Sequence, residues 1–339
     1  MDPGETPFHK DILKLNAAAT CRQIADQLRE DIQKKLRRRG AIIGLSGGID
    51  SSVTLALAVQ AMTPACVIGV MLPERDSSPQ SLTLARRLAE TFGVTTVCED
   101  LSEALVGFGC YRRRDEALVR VFPEYSAQTH RVKIELQHDI LNQETPPLYA
   151  ATIIDLHGNQ QSKRLPLTEY LAVVAASNFK QRSRMAMLYY QAEARHYAVV
   201  GTPNKHEVAQ GFFVKYGDGG ADVLPIAHLY KTQVYQLGRY LGVPDEILSR
   251  VPTTDTYSAE QTQEEFFFQL PFATLDLLWY AWENGYPALE AADVLALTEQ
   301  QVLSVFKNFA RKQQTTAYLR MAPVADYPST LVQSDGVSR

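Results

Sequence analysis

The stretch from Ala41 to Met62 constrains the fold of this chain more than any other part of it. The mostly apolar run Ala41–Leu45 predicts a buried strand, and Val53–Met62 predicts a helix that packs on a sheet. Between them, the sequence Ser46-Gly-Gly-Ile-Asp-Ser-Ser52 can continue neither element. A strand, a glycine-containing loop and a helix N-terminus form an arrangement that binds phosphate, because free backbone N–H groups and the helix dipole both favour an anion.

The residues of this loop separate it from the commonest phosphate-binding loops. No Lys-Ser/Thr pair follows Gly47 and Gly48, as a P-loop requires, and the loop does not fit the dinucleotide pattern G-x-G-x-x-G. It carries Asp50 instead, and an acid beside phosphate predicts a divalent cation between the two. The simpler alternative is an ordinary turn between strand and helix, in which a serine caps the helix.

The loop resembles the SGGxDS signature of the ATP pyrophosphatases, which split ATP into AMP and pyrophosphate to activate a carboxyl or carbonyl group. The resemblance implies that ATP is a co-substrate and that this loop holds its phosphates. The residues that it implicates in ATP binding are Ser46, Gly47, Gly48, Asp50, Ser51 and Ser52.

Alternating strands and helices predict an α/β fold with a doubly wound parallel sheet. Buried strands are predicted at Ala65–Leu72 and Val94–Val97, each preceded by a helical pattern. The alternation resumes with a helix over Leu167–His196 and a strand at Tyr197–Val200, and the last third of the chain is predicted to be helical. Ligands of such sheets bind at the carboxyl ends of the strands, where the Ser46–Ser52 loop lies.

One segment interrupts this alternation. Arg131–Leu136 alternates polar and apolar residues, and Tyr149–Asp155 and Gln161–Leu167 flank the turn signal His157-Gly-Asn159, which predicts a hairpin. The pattern leaves open whether this segment is a surface excursion or a lid or interface. The units that we expect are a nucleotide-binding domain of residues 1–104 and 168–312, a β-rich insertion of residues 105–167, and a C-terminal tail of residues 313–339.

Composition bears on the partners and the compartment of the protein. The formal net charge is −4, and the basic runs Arg37–Arg39 and Arg112–Arg114 are short, so we expect no nucleic-acid partner. The 4 cysteines show no C-x-x-C spacing, which favours a reducing compartment over a disulfide framework or a zinc site. The sequence shows neither a signal peptide nor an apolar run long enough to span a membrane, so we expect a cytoplasmic protein without a membrane partner.

Five further motifs resemble, in order and spacing, those of the NAD synthetases. They are Asn178-Phe-Lys-Gln-Arg-Ser-Arg-Met185, Gly201-Thr-Pro-Asn-Lys-His-Glu207, Gly211-Phe-Phe-Val-Lys-Tyr-Gly-Asp-Gly-Gly-Ala-Asp222, Leu229-Tyr-Lys-Thr232 and Pro252-Thr-Thr-Asp255. Enzymes of this family convert nicotinic acid adenine dinucleotide (deamido-NAD) to NAD, by adenylating its carboxylate with ATP and then amidating it. The resemblance covers about residues 20–100 and 170–310.

The resemblance implies roles for individual residues. Asp50 and Glu207 would hold Mg²⁺ at the phosphates and Lys231 would neutralise their charge, so that Asp50 and Lys231 act in catalysis. Thr202 and Thr253 match threonines that contact ATP. For Glu207 and the two threonines, the structural alternative is helix capping. For Arg182, it is an ion pair at the surface. The residues that match contacts to the dinucleotide acid are Arg182, Lys215 and Asp222.

Three features depart from the family pattern. A His-Lys-Arg sequence near the family's C-terminus is reduced here to Arg320, within Thr316–Arg320. Pro203 stands where glycine or aspartate is commoner, and the insertion 105–167 is longer than the usual connection. These departures leave the acid substrate less well defined than ATP.

Ammonia-dependent NAD synthesis is the function that we expect, with ATP, deamido-NAD and ammonia as substrates and Mg²⁺ as the metal ion. The chain has no room for a glutaminase domain, so a separate glutaminase is an alternative source of ammonia, and the family implies a homodimer. One alternative function is a divergent amide ligase of the same chemistry that acts on another carboxylate. Another is a nucleotide sensor without turnover, which the presence of Asp50, Glu207 and Lys231 disfavours.

Overall fold

The computed structural model of the protein describes residues 6–137, 140–141, 148–254 and 257–325. The strands in these residues are β1 (Ala41–Gly44), β2 (Val67–Met71), β3 (Thr95–Cys98), β4 (His130–Gln137), β5 (Leu148–Asp155), β6 (Gln160–Arg164) and β7 (Ala198–Val199). The α-helices are α1 (Ala17–Glu30), α2 (Ile49–Met62), α3 (Pro79–Thr91), α4 (Ser102–Gly107), α5 (Cys110–Val121), α6 (Leu167–Glu193), α7 (Lys205–Gln210), α8 (Lys231–Leu241), α9 (Asp245–Leu248), α10 (Phe272–Glu283), α11 (Ala288–Leu295), α12 (Glu299–Thr315) and α13 (Ala317–Arg320).

The central sheet is parallel, with the strand order β3-β2-β1-β7. Ile42 of β1 pairs with Ile68 of β2 on one side and with Val199 of β7 on the other. The chain thus builds the sheet outward from β1 in one direction and later returns to its other side. This confirms the predicted doubly wound α/β fold and places the loop after β1 where such sheets bind ligands.

Helices cover both faces of this sheet. Successive side chains of a strand point to opposite faces. Ile43 accordingly packs in a core with α1, α2, α3 and α8, whereas its neighbour Ile42 packs with Ala192 and Leu188 of α6. The 27-residue helix α6 is therefore the element that closes the second face of the sheet.

Residues 105–167 begin with helices and end with an antiparallel sheet. In that sheet Ala151 of β5 lies opposite Ile134 of β4 and Lys163 of β6, so the predicted hairpin is present. The β-rich prediction is wrong for the first part of the segment, which contains α5. Ala117 and Leu118 fall at helical spacing from Cys110 and Val121, and they pack beneath the antiparallel sheet.

The last third of the described chain is helical, as predicted. Helices α10, α11 and α12 form a separate core around Trp279 and Phe309, to which the N-terminal Phe8 and Leu13 also contribute. The predicted helix at Glu264–Phe268 is a single π-helical turn. Across the described residues, every helix is too short or too polar to cross a membrane.

Candidate active site

The loop after β1 is shaped by its glycines and closed by its own serines. Gly47 has a φ of +73°, and a Cβ added there would lie 2.5 Å from the carbonyl oxygen of Ser81, so only glycine fits. Gly48 precedes helix α2 as its N-cap residue and offers no side-chain cap. The N-cap residue is thus a glycine and not the serine of the simpler alternative. The first N–H groups of α2 remain available to an anion.

The serines of the loop play different parts. Ser46 Oγ accepts a hydrogen bond from the backbone N–H of Gly48 (3.2 Å) and faces a cavity. The hydroxyl groups of Ser51 and Ser52 donate to the carbonyl oxygen of Gly48 at 3.1 and 2.8 Å. Both side chains are buried. Ser51 and Ser52, predicted to contact ATP, thus stabilise the loop by binding its backbone.

Asp50 forms a buried ion pair at the start of α2. Its Oδ2 lies 2.5 Å from Nζ of Lys231, the first residue of α8, and Lys231 is fully buried. Burial alone would lower the pKa of Lys231, but the carboxylates of Asp50 and Glu207 raise it above its ordinary value. These carboxylates therefore favour the ammonium form of Lys231, next to the loop after β1.

Asn204 links the two acids of the site. Its side-chain amide donates to Asp50 Oδ1 (3.2 Å), and its backbone N–H donates to Glu207 Oε2 (2.9 Å). Glu207 completes a capping box on α7, so the helix-capping alternative is realised while the residue also lines the cavity. Burial, followed by repulsion from Asp50, raises the pKa of the Glu207 carboxyl well above its ordinary value.

Lys231 and Glu207 are positioned by one carboxylate from the C-terminal helices. Asp276 Oδ2 accepts a hydrogen bond from the backbone N–H of Thr232 (2.7 Å), and Oδ1 lies 2.6 Å from His206 Nε2. Asp276 and His206 are completely buried. Thr232 adjoins Lys231 and His206 adjoins Glu207, so Asp276 joins the segments that carry both.

A cavity of about 480 Å³ opens onto this group, a size typical of small-molecule sites. Its wall includes the loops that follow three strands of the parallel sheet and one face of α6. Six residues with predicted roles line it, and these are Ser46, Gly48, Asp50, Thr202, Glu207 and Thr253. Asp255, in the same motif as Thr253, lies outside the described residues.

Two arginines that were not predicted as site residues also line the cavity. Arg250 donates to the carbonyl oxygen of Gly47 (3.4 Å) and to the hydroxyl group of Thr253 (3.4 Å). Arg184 donates to the carbonyl oxygen of Leu72 (3.3 Å), in the loop after β2. Sequence offered a weak signal for each, since Arg184 stands in the quoted α6 motif and Arg250 precedes Pro252-Thr-Thr by two residues.

The three residues predicted to contact the dinucleotide acid are not part of the described cavity wall. Lys215 donates to the carbonyl oxygens of Tyr318 (3.0 Å) and Met321 (2.7 Å), which fastens the C-terminal segment. Asp222 accepts from the backbone N–H of Val199 (2.8 Å) and thereby supports β7. Arg182 is exposed on α6 and donates to the carbonyl oxygen of Lys215 (3.3 Å).

The remaining arginine of the altered C-terminal motif also serves the backbone. Arg320 donates to the carbonyl oxygens of Val208 (3.1 Å) and Gln313 (2.7 Å). It therefore holds α13 against α7, with its guanidinium group engaged by these oxygens.

Fold and site together define a class of protein. A doubly wound sheet carries a glycine-containing loop after its inner strand β1, and Asp50, which follows the glycines of that loop, pairs with the buried Lys231. This is the arrangement of a nucleotide-dependent enzyme of the α/β class.

Comparison with known proteins identifies the family. The sequence model of the NAD synthase family matches residues 20–115 and 126–320. The NH(3)-dependent NAD(+) synthetase of Rhizobium rhizogenes is 43% identical over 335 residues, covering 97% of this chain and 99% of that protein. The one of Rhizobium meliloti is 46% identical over 325 residues, covering 95% and 96%. The chain therefore belongs to the NAD synthase family, and it is an enzyme that makes NAD.

Solved structures agree on the fold. An NMN synthetase from Francisella tularensis superposes with a TM-score of 0.59 at 22% identity, covering 93% of this chain and 100% of that one. An NH3-dependent NAD synthetase from Campylobacter jejuni gives 0.57 at 20% identity, covering 92% and 99%. The family match also spans residues 126–167. Because the family model covers the antiparallel sheet, the presence of this sheet does not indicate an acid substrate other than that of the family.

Proposed function

We propose that the chain is an ammonia-dependent NAD synthetase that adenylates the nicotinate carboxylate of deamido-NAD with ATP and then amidates it. The observation that carries this proposal is the buried pair of Asp50 and Lys231 beside the loop after β1. The pair joins an acid and a fixed cation where ATP phosphates would meet free helix N–H groups. The NH(3)-dependent names of the relatives at 43% and 46% identity support ammonia as the nitrogen donor.

The donor set at this position fits Mg²⁺. Magnesium is commonly bound in nucleotide sites by one or two carboxylates, with phosphate oxygens and water completing the octahedron. Asp50 and Glu207 supply two carboxylates, held together by Asn204. Burial and then repulsion from Asp50 raise the pKa of Glu207, and a divalent cation would relieve the repulsion. When bound, the ion would offset the negative charge of the ATP phosphates.

The residues of the site have distinct tasks in the first half of the reaction. A carboxylate oxygen of the acid attacks the α-phosphorus of ATP, the bond to the β-phosphate breaks, and pyrophosphate leaves. The N–H groups at the start of α2 and the ammonium group of Lys231 stabilise the charge that develops on pyrophosphate. Arg250, next to Gly47 and Thr253, adds a second cation on the ATP side. Thr202 contributes a polar group to the same wall.

The second half of the reaction needs less from the protein. Ammonia attacks the carbonyl carbon of the acyl adenylate, AMP leaves, and the added nitrogen loses a proton to solvent. Limiting the access of water to the adenylate would favour attack by ammonia over hydrolysis. A separate glutaminase that supplies the ammonia remains a prediction.

A homodimer also remains a prediction from the family resemblance. Light scattering of the purified protein would measure its mass in solution.

The test of the proposed reaction is product analysis. With ATP, Mg²⁺, ammonium and deamido-NAD, the protein should form NAD, AMP and pyrophosphate in equal amounts. Formation of ADP and phosphate would contradict the proposal. The alternative ligase would release pyrophosphate with a different acid in a panel and not with deamido-NAD.

A further inference from the structure

Two stacked tyrosines line part of the cavity wall. Neither of them was among the predicted site residues, and the proposed reaction gives them no role. Tyr149 lies on β5 of the antiparallel sheet, and Tyr170 lies in the first turn of α6. Their ring centroids are 4.0 Å apart with an interplanar angle of 21°. Both rings line the cavity and both are half-buried, so a ligand can reach them.

The neighbours of this pair are aromatic as well. Tyr257 and Phe266 line the same cavity, with ring centroids 5.9 Å apart. Tyr257 is buried and hydrogen-bonds to Ser177 of α6, which holds its ring in place. Aromatic rings fixed by packing offer flat surfaces for the ring of a ligand, and such stacking does not depend on a particular hydrogen-bond pattern.

The tyrosine pair lies at the far end of the cavity from the phosphate-binding loop. Helix α6 lines the cavity from Tyr170 to Leu188, which corresponds to about 27 Å at the rise of an α-helix. The Leu188 end meets the parallel sheet, since a Cβ on Gly44 would lie 3.4 Å from Leu188 Cδ1. Gly44 ends β1, two residues before Ser46.

The wall between these two ends carries several polar side chains. Ser177, Asn178, Gln181 and Arg184 line the cavity along the same helix face. Hydroxyl, amide and guanidinium groups are suited to hydrogen bonds with sugar hydroxyls and phosphate oxygens. The cavity therefore has an ion-pair end, a polar middle and an aromatic end.

We propose that the Tyr149–Tyr170 pair binds the planar ring at the far end of the acid substrate, remote from the carboxylate that reacts. The inference rests on the proposed function, which puts the reacting carboxylate beside ATP at the phosphate-binding loop. A molecule with one ring and one phosphate is too short to reach both ends of the cavity. An ATP molecule whose phosphates lie at the loop is also too short for its base to reach the tyrosine pair. The subsite thus selects an acid of dinucleotide length over a mononucleotide acid, and the antiparallel sheet of β4, β5 and β6 becomes part of the substrate site.

Binding measurements without turnover test this inference directly. We would titrate the whole chain by calorimetry with deamido-NAD and, separately, with nicotinic acid mononucleotide and ATP. Stacking on an aromatic side chain is worth a factor of about 5 to 150 in affinity for one base. The wild type should therefore bind the dinucleotide acid more tightly than the mononucleotide acid by a factor in this range.

The variants separate ring stacking from packing. Tyr149→Leu should remove the advantage of the dinucleotide acid and leave the affinities for the mononucleotide acid and for ATP unchanged. Tyr149→Phe, which keeps the ring, should restore the advantage. Leu156→Ala, at a side chain 77% exposed beside β5, is the matched control and should behave as wild type. If Tyr149→Leu fails to fold, Tyr170→Leu takes its place with the same expectation.

Three results would overturn the inference: equal affinity of the wild type for both acids, an equal loss for both acids in the leucine variant, or a loss confined to ATP. Product analysis of the wild type distinguishes failure of this inference from failure of the proposed function. Selective loss of deamido-NAD binding in a protein that forms no NAD would support the subsite and contradict the reaction.

Discussion

Asp276 accepts a hydrogen bond from the backbone N–H of Thr232 at 2.7 Å, and this contact fixes the start of the helix that carries Lys231. Its second oxygen lies 2.6 Å from Nε2 of His206, the residue before Glu207. Asp276 is completely buried, so its contacts do not depend on solvent. The helical C-terminal third of the chain thereby controls the geometry of a site built on the parallel sheet.

Replacing Asp276 by alanine should lower turnover by about 10- to 100-fold, because small displacements of catalytic groups are costly. Breaking a buried polar network should also lower the free energy of unfolding by about 3 kcal/mol. Asn308→Ala is the control, since Asn308 is 6% exposed in the same helical layer and does not contact the site. Asp276→Asn keeps an oxygen for Thr232 and should retain more activity than the alanine variant. Equal turnover of the two alanine variants would contradict the positioning role.

Asp50→Asn should reduce turnover by at least about 100-fold, because it removes a carboxylate from the predicted Mg²⁺ site. The amide oxygen can still accept from Lys231, but the buried ammonium group loses one of the two carboxylate charges near it. We therefore expect a fall of about 1–3 kcal/mol in the free energy of unfolding, measured with urea. Activity close to that of the wild type would refute the assignment of Asp50 as a metal ligand.

Arg250→Met should raise the KM for ATP by about tenfold and leave the KM for ammonia unchanged. The guanidinium group lies at the carbonyl oxygen of Gly47 and the hydroxyl group of Thr253, and charge-assisted contacts to phosphate are strong. Arg87→Met is the control, because Arg87 is exposed and pairs at the surface with Glu246. The role of Arg250 would be disproved by an unchanged KM for ATP.

Lys312 should make stability depend on pH. Burial, with a smaller effect of Arg311, lowers the pKa of Lys312 to about 7, whereas in the unfolded chain a lysine pKa is about 10.4. Between these values the unfolded chain binds the extra proton, so the contribution of Lys312 to stability rises with pH by up to about 1.4 kcal/mol per pH unit. Below pH 7 both states are protonated and the contribution is constant.

Urea unfolding of Lys312→Met at pH 7 and pH 9.5 measures this effect. The methionine variant should be more stable than the wild type at pH 7, and its advantage should shrink as the pH rises. Lys307→Met, at an exposed position of the same helix, should differ from the wild type by the same amount at both pH values. A difference that is constant for Lys312→Met as well would contradict the lowered pKa of Lys312.

Local sequence was sufficient where function and folding use the same residues. Gly47 gives the Ser46–Ser52 loop a turn that a residue with a side chain cannot form, and we propose that the same backbone binds phosphate. The motif around Asn204 and Glu207 likewise combines a capping box with an acid at the cavity. Both segments were therefore predicted by pattern, together with the parallel sheet that supports them.

Contacts between distant segments could not be predicted in this way. Asp276 follows Thr232 by 44 residues and resembles a surface charge on an apolar helix until the fold buries it. Lys215 and Asp222 match substrate contacts by resemblance, yet both bind backbone groups in the folded chain. The hydrogen-bonding capacity of a side chain is visible in sequence, but which partner takes it depends on the packing of whole elements.

Transfer of oxygen from the acid to AMP tests the central claim most directly. Deamido-NAD labelled with ¹⁸O in its nicotinate carboxylate would be converted with unlabelled ATP and ammonium, and the products analysed by mass spectrometry. Attack of the carboxylate on the α-phosphorus predicts one ¹⁸O in each AMP and none in pyrophosphate. Label in phosphate or pyrophosphate, or AMP without label, would contradict adenylation of the carboxylate at this site.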